Sequence, residues 1–348
     1  MAQRYSYIWP MILLTGATGL VGAHILFQLL TEGKKVRALY RSETGKEAVE
    51  HIFSYYHENP KALMGKAEWM QGDILDIPAL EDAFEGVTQV IHSAALVSFN
   101  PRRKREIMET NLTGTRNMVD LALDFGVKKF GYVSSVAAIG RGKDGIGISE
   151  KTEWQNSTQN SDYSLSKYQA EMELWRGAEE GLPVVIINPS IVLGPGFWEQ
   201  GSGKLFKAVF NGFPFYSKGA NAFVDVKDVA DIMVQLMDRN IVNDRFVIAP
   251  WNRSFREVMN AMAEEMGKKK PGVAANGLLI GMAWRFERLL NILSNSEPGL
   301  TKQSADAGMR INSYNSEKIK TALNYSFRPL DETIRSYSKI LVDEMSKK

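Results

Sequence analysis

The chain has 348 residues, of which 44% are hydrophobic and 24% charged, and these proportions are ordinary for a globular protein. At this length it can bury a large core, in one large domain or in two coupled lobes. The net charge of +2 gives no reason to expect nucleic-acid binding, and the lack of cysteine excludes disulfides, thiolate metal sites and cysteine nucleophiles, so we predict no metal site.

The N-terminal segment, residues 1–10, lacks the apolar core of a signal peptide. No stretch approaches the roughly 20 apolar residues that a membrane span requires. We therefore expect a cytoplasmic protein. The apolar segment 277–290 is predicted to pack within the C-terminal part of the chain, with peripheral contact to a membrane surface as the alternative.

A glycine-rich turn over residues 15–22 follows the apolar strand predicted over residues 12–14, and a helical pattern follows the turn. Gly16 permits the tight turn, Gly19 lets the backbone approach a pyrophosphate, and Gly22 lets the helix pack closely on the strand. The N–H groups of the first helical turn then face the phosphates. This order predicts a dinucleotide site formed by Gly16, Thr18, Gly19, Leu20, Val21 and Gly22.

Strand-like and helix-like segments alternate through the first half of the chain. Further strands are predicted over residues 36–40, 67–73, 89–95, 130–135 and 184–189, with helices over 113–125 and 164–180. This alternation predicts an α/β protein with a Rossmann, doubly wound parallel sheet. We predict a dinucleotide-binding domain over residues 1–189. Residues 190–348, with a short strand at 245–250, are predicted to form a smaller C-terminal α/β substrate lobe, some segments of which can return to the sheet.

Tyr163 and Lys167 are four positions apart and so lie on one face of a predicted helix. A phenol with a pKa of about 10 is a poor acid or base at neutral pH, but a nearby ammonium group and an oxidised nicotinamide stabilise the phenolate. Tyr163 can then exchange a proton with a carbonyl oxygen as hydride reaches or leaves the carbon. Ser135 ends a strand, where it either holds the substrate oxygen or caps the local backbone. A second copy of the pattern, Tyr314 to Lys318, is assigned to a C-terminal helix without a catalytic role.

These motifs resemble those of the extended short-chain dehydrogenase/reductases, in the NAD-dependent epimerase/dehydratase superfamily. The resemblance rests on residues 15–22, 72–73, 92–95, 111–117, 134–135, 163–167 and 223–230. It implies that Ser135, Tyr163 and Lys167 form the catalytic set, and that Asn111 supports the lysine or its water. It also implies a homodimer. The resemblance implies further cofactor contacts. Asp73 and Ile74 would lie near the adenine, and Ala94 and Ala95 would line the cofactor. The residues beside the nicotinamide would be Pro189, Ser190 and Ile191.

The end of the second predicted strand indicates which dinucleotide binds. An acidic residue about 20 positions after the glycine turn would bind the ribose 2′-hydroxyl of NAD, but here the strand ends with Arg41 and Ser42. Arg41 can pair bidentately with a 2′-phosphate, and Ser42 can add a hydrogen bond. We therefore predict NADP, with NAD as the alternative if Arg41 only stacks on the adenine.

Two departures from the sugar-nucleotide members point to another branch. Val136 and Ala137 occupy the positions where the 4,6-dehydratases carry an acidic pair, and Ala138–Gly140 differs from the epimerases. The segment 187–195 instead looks like that of dihydroflavonol reductases and 3β-hydroxysteroid dehydrogenase-like proteins, which act on apolar ketones or alcohols. Ser135 and three aromatic residues are the candidate substrate contacts: Phe99, Phe197 and Trp198. Other aromatics that could supply pocket surface are Phe206, Phe213, Phe215 and Tyr216.

Together these observations predict an NADP-dependent oxidoreductase that interconverts a ketone and a secondary alcohol on a mostly apolar small molecule. The first alternative is an NAD-dependent sugar-nucleotide epimerase, which would retain its cofactor and show no net redox turnover. A non-catalytic nucleotide-sensing protein is the second alternative, and it would have no need of the trio Ser135, Tyr163 and Lys167.

Overall fold

The computed structural model describes residues 10–140, 147–275, 303 and 308–347. The strands are β1 (Met11–Thr15), β2 (Lys35–Tyr40), β3 (Glu68–Gln71), β4 (Val87–His92), β5 (Lys129–Val133), β6 (Val184–Pro189), β7 (Ile191–Leu193), β8 (Phe215–Ser217), β9 (Ala220–Asp225), β10 (Asp244–Ile248), β11 (Trp251–Ser254) and β12 (Val273–Ala275). The helices are α1 (Leu20–Thr31), α2 (Glu43–Ser54), α3 (Pro60–Met64), α4 (Ile77–Phe84), α5 (Lys104–Met108), α6 (Gly114–Asp124), α7 (Asp162–Glu179), α8 (Gly203–Phe210), α9 (Val226–Asp238), α10 (Phe255–Glu265), α11 (Glu317–Leu323) and α12 (Leu330–Ser346).

The strand before the glycine turn lies inside a parallel sheet. In the described residues this sheet has seven strands in the order β10-β6-β5-β4-β1-β2-β3, all parallel. Leu13 packs against one face of the sheet, while Ile12 and Leu14 pack against the other, as expected for a strand covered on both sides. The strand order reverses between β1 and β4, where doubly wound sheets bind their ligands.

Helices cover both faces of the sheet. On one face α1, α2 and α9 share a core with the sheet, and on the other face α4, α6 and α7 do so. This arrangement confirms the predicted Rossmann-type α/β fold. Because α7 begins beside the carboxyl ends of β5 and β6, its first two turns lie at the edge of the sheet that faces the ligand crevice.

The strand expected at residues 245–250 is β10, which pairs with β6 at the edge of the large sheet. It is therefore one of the C-terminal segments that return to the sheet. One prediction about this part needs correction: Tyr314 precedes α11 and forms an isolated parallel bridge with Ile148, so Tyr314 and Lys318 do not share the helix expected for them. This difference arises from pairing between residues that are far apart in the sequence.

The smaller lobe is built on a three-stranded sheet in the order β11-β9-β7 within the described residues, together with α8, α10 and α12. Asp225, at the end of β9, is 3% exposed and caps α9 by accepting from the Lys227 N–H. Its carboxylate also accepts from the hydroxyls of Thr333 and Tyr337, each at 2.6 Å. This carboxylate therefore attaches α12 to the sheet.

No helix in the described part of the chain combines the length and apolar character needed to cross a membrane. The apolar segment 277–290, whose peripheral membrane contact was an alternative, lies outside the described residues.

Replacing the buried carboxylate tests its role in holding α12. We expect Asp225→Ala to lower the free energy of unfolding by about 3 kcal/mol, because it leaves two buried hydroxyl donors and one N–H without their acceptor. Asp238→Ala is the matched control, since Asp238 is 50% exposed and pairs with Lys34 at the surface, which is worth less than about 1 kcal/mol. Urea unfolding of both variants measures the difference. Equal losses would contradict the assigned role.

Candidate active site

A cleft of about 2160 Å³ opens at the carboxyl edge of the large sheet, between the sheet and the smaller lobe. Drug-sized ligands occupy about 300–1,000 Å³, so this cleft has room for a dinucleotide and a second molecule. All of the cofactor residues predicted from the sequence line it: Gly16, Thr18, Gly19, Leu20, Val21, Gly22, Arg41, Asp73, Ile74, Ala94, Ala95, Tyr163, Lys167, Pro189, Ser190 and Ile191. Their individual contacts with a cofactor stay a prediction.

The glycine turn has the geometry that a pyrophosphate requires. Gly16 has a φ of +68°, and a Cβ there would lie 2.5 Å from the Ala94 nitrogen. A Cβ at Gly22 would lie 2.0 Å from the Gly16 carbonyl oxygen, so α1 packs closely on the turn. Gly19 differs, because the nearest atom to its Cβ position, the Gly16 oxygen, is 3.5 Å away and the residue is exposed to the cleft. No side chain caps α1, so its first N–H groups remain available to an anion.

A buried hydroxyl marks the other end of the cofactor path. Ser190 is 8% exposed and lines the cleft, yet its Oγ has no hydrogen-bond partner among the described residues. Buried polar groups are seldom left without a partner, and a nicotinamide carboxamide would supply one here. The glycine turn and this hydroxyl together are compatible with a bound nicotinamide dinucleotide.

Arg41 lies at the adenine end of the cleft. Its side chain is 74% exposed, and one guanidinium nitrogen is 3.9 Å from the Asp73 carboxylate. Ser42 caps α2 by accepting from the Gly45 N–H, which leaves its hydroxyl proton available for donation. The end of β2 therefore places the Arg41 cation in the cleft, whereas the neighbouring Ser42 does not line it.

Ser135 and Tyr163, the pair predicted to bind and protonate the substrate oxygen, both line the cleft. The Ser135 Oγ accepts from the Ala137 N–H at 3.1 Å and caps a single 3₁₀ turn, so this serine does cap the local backbone, and its contact with a substrate stays a prediction. Its own proton is left for another acceptor. Burial raises the pKa of Tyr163, and the hydrogen bond from Ser135 opposes that rise. Phe99 packs edge-on against the Tyr163 ring, with the centroids 6.0 Å apart.

Lys167 brings a buried charge to the same place. The residue is 1% exposed, and its Nζ donates to the Tyr132 hydroxyl at 2.6 Å and to the Val133 carbonyl at 3.0 Å. Burial lowers the pKa of Lys167 to about 7, against an opposing attraction from Glu171. At neutral pH this lysine is therefore close to its own titration point.

The sequence reasoning missed a buried carboxylate beneath the site. Glu171 is 0% exposed and accepts from the Ser134 hydroxyl at 2.5 Å, from the Asn188 amide and from Arg245 of β10 at 3.3 Å. The Asn188 amide also donates to the Ser135 carbonyl at 3.0 Å, so this network holds the backbone of the predicted catalytic serine. The signal in the sequence was the continuation of the spacing of four from Tyr163 through Lys167 to Glu171.

Two predicted residues do not face the cleft. Trp198 is 6% exposed, packs on Phe206 in the core of the smaller lobe and donates to Glu344 at 2.8 Å, so the structure argues against its substrate contact. The Asn111 side chain bonds both the N–H and the carbonyl of Leu96 and donates to the Ser166 hydroxyl, so it does not contact Lys167 directly. Asn111 lies in a π-helical turn between α5 and α6, which turns its amide toward the Leu96 loop.

Of the remaining aromatic candidates, Phe206 is buried in the core, whereas the others line the cleft: Phe99, Phe197, Phe213, Phe215 and Tyr216. The described residues contain no group of acidic or imidazole side chains that could hold a metal ion.

Comparisons with known proteins agree with this geometry. The model of the NAD dependent epimerase/dehydratase family matches residues 12–249. A sterol demethylase protein B from Methylococcus capsulatus is 28% identical over 268 residues, which cover 75% of this chain and 76% of the relative. A putative dihydroflavonol 4-reductase from Synechocystis is 28% identical, covering 81% of this chain and 80% of the relative.

Another relative and a solved structure complete the comparison. A UDP-glucose 4-epimerase from Vibrio cholerae is 30% identical, covering 68% of this chain and 70% of the relative. The crystal structure of gox2253 superposes with a TM-score of 0.77 at 27% identity, covering 97% of this chain and 98% of that one. These relatives thus include a protein named as a reductase and another named as an epimerase.

Gly19 and Gly22 differ in the room they leave for a side chain, so substitutions at these two positions can distinguish an effect on cofactor binding from an effect on folding. We expect Gly19→Ala to change the free energy of unfolding by less than about 1 kcal/mol, because its Cβ meets only an ordinary contact. The same variant is expected to weaken NADH and NADPH binding about ten-fold or more, because the methyl group occupies the position of the pyrophosphate. Gly22→Ala is the control that should lose stability, by about 2 kcal/mol, through its clash with Gly16. Fluorescence titration and urea unfolding measure both; wild-type cofactor affinity in Gly19→Ala would contradict the placement.

Proposed function

Because the chain belongs to the NAD dependent epimerase/dehydratase family, within the extended short-chain dehydrogenase/reductases, we propose that it is an NADP-dependent oxidoreductase acting on a mostly apolar small molecule. The reaction is the interconversion of a ketone and a secondary alcohol. The observation that carries this proposal is that Ser135, Tyr163 and the buried Lys167 line one cleft, in which the ring of Phe99 packs against Tyr163.

The mechanism follows from the hydrogen-bond directions in the site. When bound, the nicotinamide ring supplies a hydride to the carbonyl carbon, or accepts one in the reverse direction. Ser135 donates to the substrate oxygen and holds it beside Tyr163. As the carbonyl π electrons move to that oxygen, the Tyr163 hydroxyl gives it a proton and is left as a phenolate. The Lys167 ammonium stabilises this phenolate, which favours transfer despite the raised pKa of the buried phenol.

The surroundings of Tyr163 favour an apolar substrate. Phe99 packs on Tyr163 itself, and the smaller lobe adds Phe197, Phe213 and Phe215 to the wall of the same cleft. Aromatic walls with a few polar groups are typical of pockets for apolar ligands. The relatives named as a dihydroflavonol 4-reductase and a sterol demethylase agree with a flavonoid-like, steroid-like or lipid-like molecule.

NADP is the cofactor that the adenine end favours. Arg41 is exposed to the cleft, and no acidic residue stands at the end of β2 to bind a free 2′-hydroxyl. A guanidinium group pairs with a phosphate by two parallel hydrogen bonds, so Arg41 supports NADP over NAD.

A second candidate is a sugar-nucleotide epimerase, favoured by the 30% identity to the UDP-glucose 4-epimerase. Such an enzyme would retain NAD and interconvert UDP-sugars without net oxidation of added cofactor. The cytoplasmic location and the homodimer stay predictions from the sequence and its resemblance.

Removal of one phenol hydroxyl tests the reaction. We expect Tyr163→Phe to lower NADPH-dependent turnover by about 10²–10⁴-fold, because the carbonyl oxygen loses its proton donor. Tyr168→Phe is the matched control: Tyr168 lies on the same helix and stacks on Trp154 but does not itself line the cleft, so this variant should keep wild-type rates. Loss of absorbance at 340 nm with aryl, steroid and long-chain ketones measures turnover. Near wild-type turnover in Tyr163→Phe would refute the mechanism, and conversion of UDP-sugars without NADPH loss would favour the epimerase.

The cofactor preference has its own test. We expect Arg41→Ala to raise the KM for NADPH about ten-fold or more and to leave the KM for NADH nearly unchanged, since only NADPH carries the 2′-phosphate. Arg105→Ala is the control, because Arg105 is also exposed but pairs with Glu109 outside the cleft. An unchanged ratio of the two KM values in Arg41→Ala would overturn the assignment of NADP.

A further inference from the structure

Lys167 is held by two hydrogen-bond acceptors from β5, a strand that the sequence motifs of the site do not include. In the described residues the Lys167 ammonium donates to two oxygens of β5, the Tyr132 hydroxyl and the Val133 carbonyl. An ammonium group has three donors, so one N–H is left for the cleft that Lys167 lines. The Tyr132 ring also lies beside the charge, with its centroid 4.2 Å from Nζ. Tyr132 thus contacts Lys167 through both its oxygen and its ring.

A threonine lies behind Tyr132. The Tyr132 oxygen accepts from Lys167, and the Thr115 hydroxyl opposes the rise that burial causes in the pKa of Tyr132. The Thr115 hydroxyl donates to the Asn111 carbonyl at 2.6 Å, an oxygen that can only accept. Thr115 has therefore used its own proton, and it accepts from His92 Nε2, which is 3.0 Å away.

The same reasoning assigns the histidine. His92 is fully buried, and its Nδ1 is 2.6 Å from the Thr15 hydroxyl oxygen, which itself accepts from the Ala94 N–H. Burial, together with the charge of Lys167, lowers the pKa of His92 to about 3, so the ring is neutral at physiological pH. Because Nε2 must donate to Thr115, Nδ1 accepts from Thr15. The protons of Thr115, His92 and Thr15 then each have a single position.

The Tyr132 hydroxyl oxygen accepts a hydrogen bond from Lys167 without itself carrying a charge. The network ends on the carbonyl of Asn111, which neither takes up nor releases a proton, so it cannot carry protons away from Lys167. Burial raises the pKa of Tyr132 well above its ordinary value, so the phenol stays neutral. A carboxylate at this position would hold the ammonium group too, but its negative charge would cancel the field that Lys167 exerts on the Tyr163 phenolate.

We propose that Tyr132 is a positioning residue of this active site: its hydroxyl oxygen, on a ring that stacks against His92, fixes the Lys167 ammonium and keeps it charged without pairing it to a carboxylate. The inference rests on the proposed function in assigning Lys167 its role toward Tyr163. The geometry on which it depends involves neither substrate nor cofactor.

The other groups that face Lys167 do not replace this contact. Glu171 on α7 attracts the ammonium group, but its oxygens accept from Ser134, Asn188 and Arg245 rather than from Lys167. His92 on β4 is neutral, and Tyr163 on α7 is a neutral phenol before the reaction. Removing the Tyr132 hydroxyl therefore takes away a direct acceptor of the charged form, and the pKa of Lys167 should fall further.

The test measures the Lys167 pKa directly in the full-length, cofactor-free protein. The probe is the pH dependence of the ¹³Cε resonances in lysine-labelled protein, with the Lys167 signal assigned by its loss in Lys167→Arg. We expect Tyr132→Phe to lower the Lys167 pKa by about one unit, as befits the loss of one hydrogen bond to a charged group. Thr115→Val, which leaves Tyr132 in place but removes its partner, should lower it by a smaller amount.

Tyr337→Phe is the matched control, since Tyr337 is another fully buried phenol with a hydrogen bond, to Asp225, in the smaller lobe. It should lose stability and leave the Lys167 pKa unchanged.

An unchanged Lys167 pKa in folded Tyr132→Phe would overturn the proposal; if Tyr132→Phe does not fold, an unchanged value in Thr115→Val would do so. Failure to turn over any ketone would overturn the proposed function alone. With a turned-over ketone, the alkaline limb of reduction should move to lower pH in Tyr132→Phe and stay in place in Tyr337→Phe.

Discussion

The burial of the Lys167 ammonium is the constraint on which the rest of the site depends. A charge with 1% exposure is tolerable only if its donors are bonded and its field is balanced nearby. The Tyr132 hydroxyl and the Val133 carbonyl meet the first condition, and Glu171 meets the second. Glu171 is itself fully buried, so it needs Arg245, whose guanidinium also donates to the Glu150 carbonyl. This requirement gives a reason for β10 to return to the edge of the large sheet after the smaller lobe has begun.

The glycine turn and Lys167 are linked by a row of buried side chains. Thr15 is the last residue of β1 and leads into the glycine turn, and its hydroxyl accepts from the Ala94 N–H while contacting His92. His92 stacks on the ring of Tyr132, whose hydroxyl accepts from Lys167. The turn that would hold a pyrophosphate and the Lys167 ammonium are therefore positioned against one another by buried side chains. In such a framework the two ends cannot shift independently without breaking a buried contact.

Local patterns made the fold and part of the site predictable. The glycine turn and the spacing from Tyr163 to Lys167 are local features, and the structure places their residues in one cleft. Features that depend on distant pairing were less predictable. The sequence left open which C-terminal segment returns to the sheet, and it is β10, which joins β6; the pairing of Tyr314 with Ile148 was not predicted. Phe197 and Trp198 are neighbours in an irregular loop, where no periodicity shows that the first lines the cleft and the second enters the core. Tyr132 could not be singled out because it reads as one more apolar residue of a buried strand.

The direction of the buried hydrogen bonds also limits the route by which a proton can return to Tyr163. In the proposed reaction, the Tyr163 phenolate left by each reduction must regain a proton. Behind Lys167 the network ends at the Asn111 carbonyl, which has none to give, and His92 is held neutral by its burial. The proton must therefore enter from the cleft, on the side where Tyr163 and Ser135 are partly exposed. It follows that the aromatic wall formed by Phe99, Phe197 and the smaller lobe must exclude water from the hydride path yet leave a route for proton exchange. Because the cleft lies between the sheet edge and the smaller lobe, the buried charges of the edge and the aromatic residues of the lobe can meet these two demands separately.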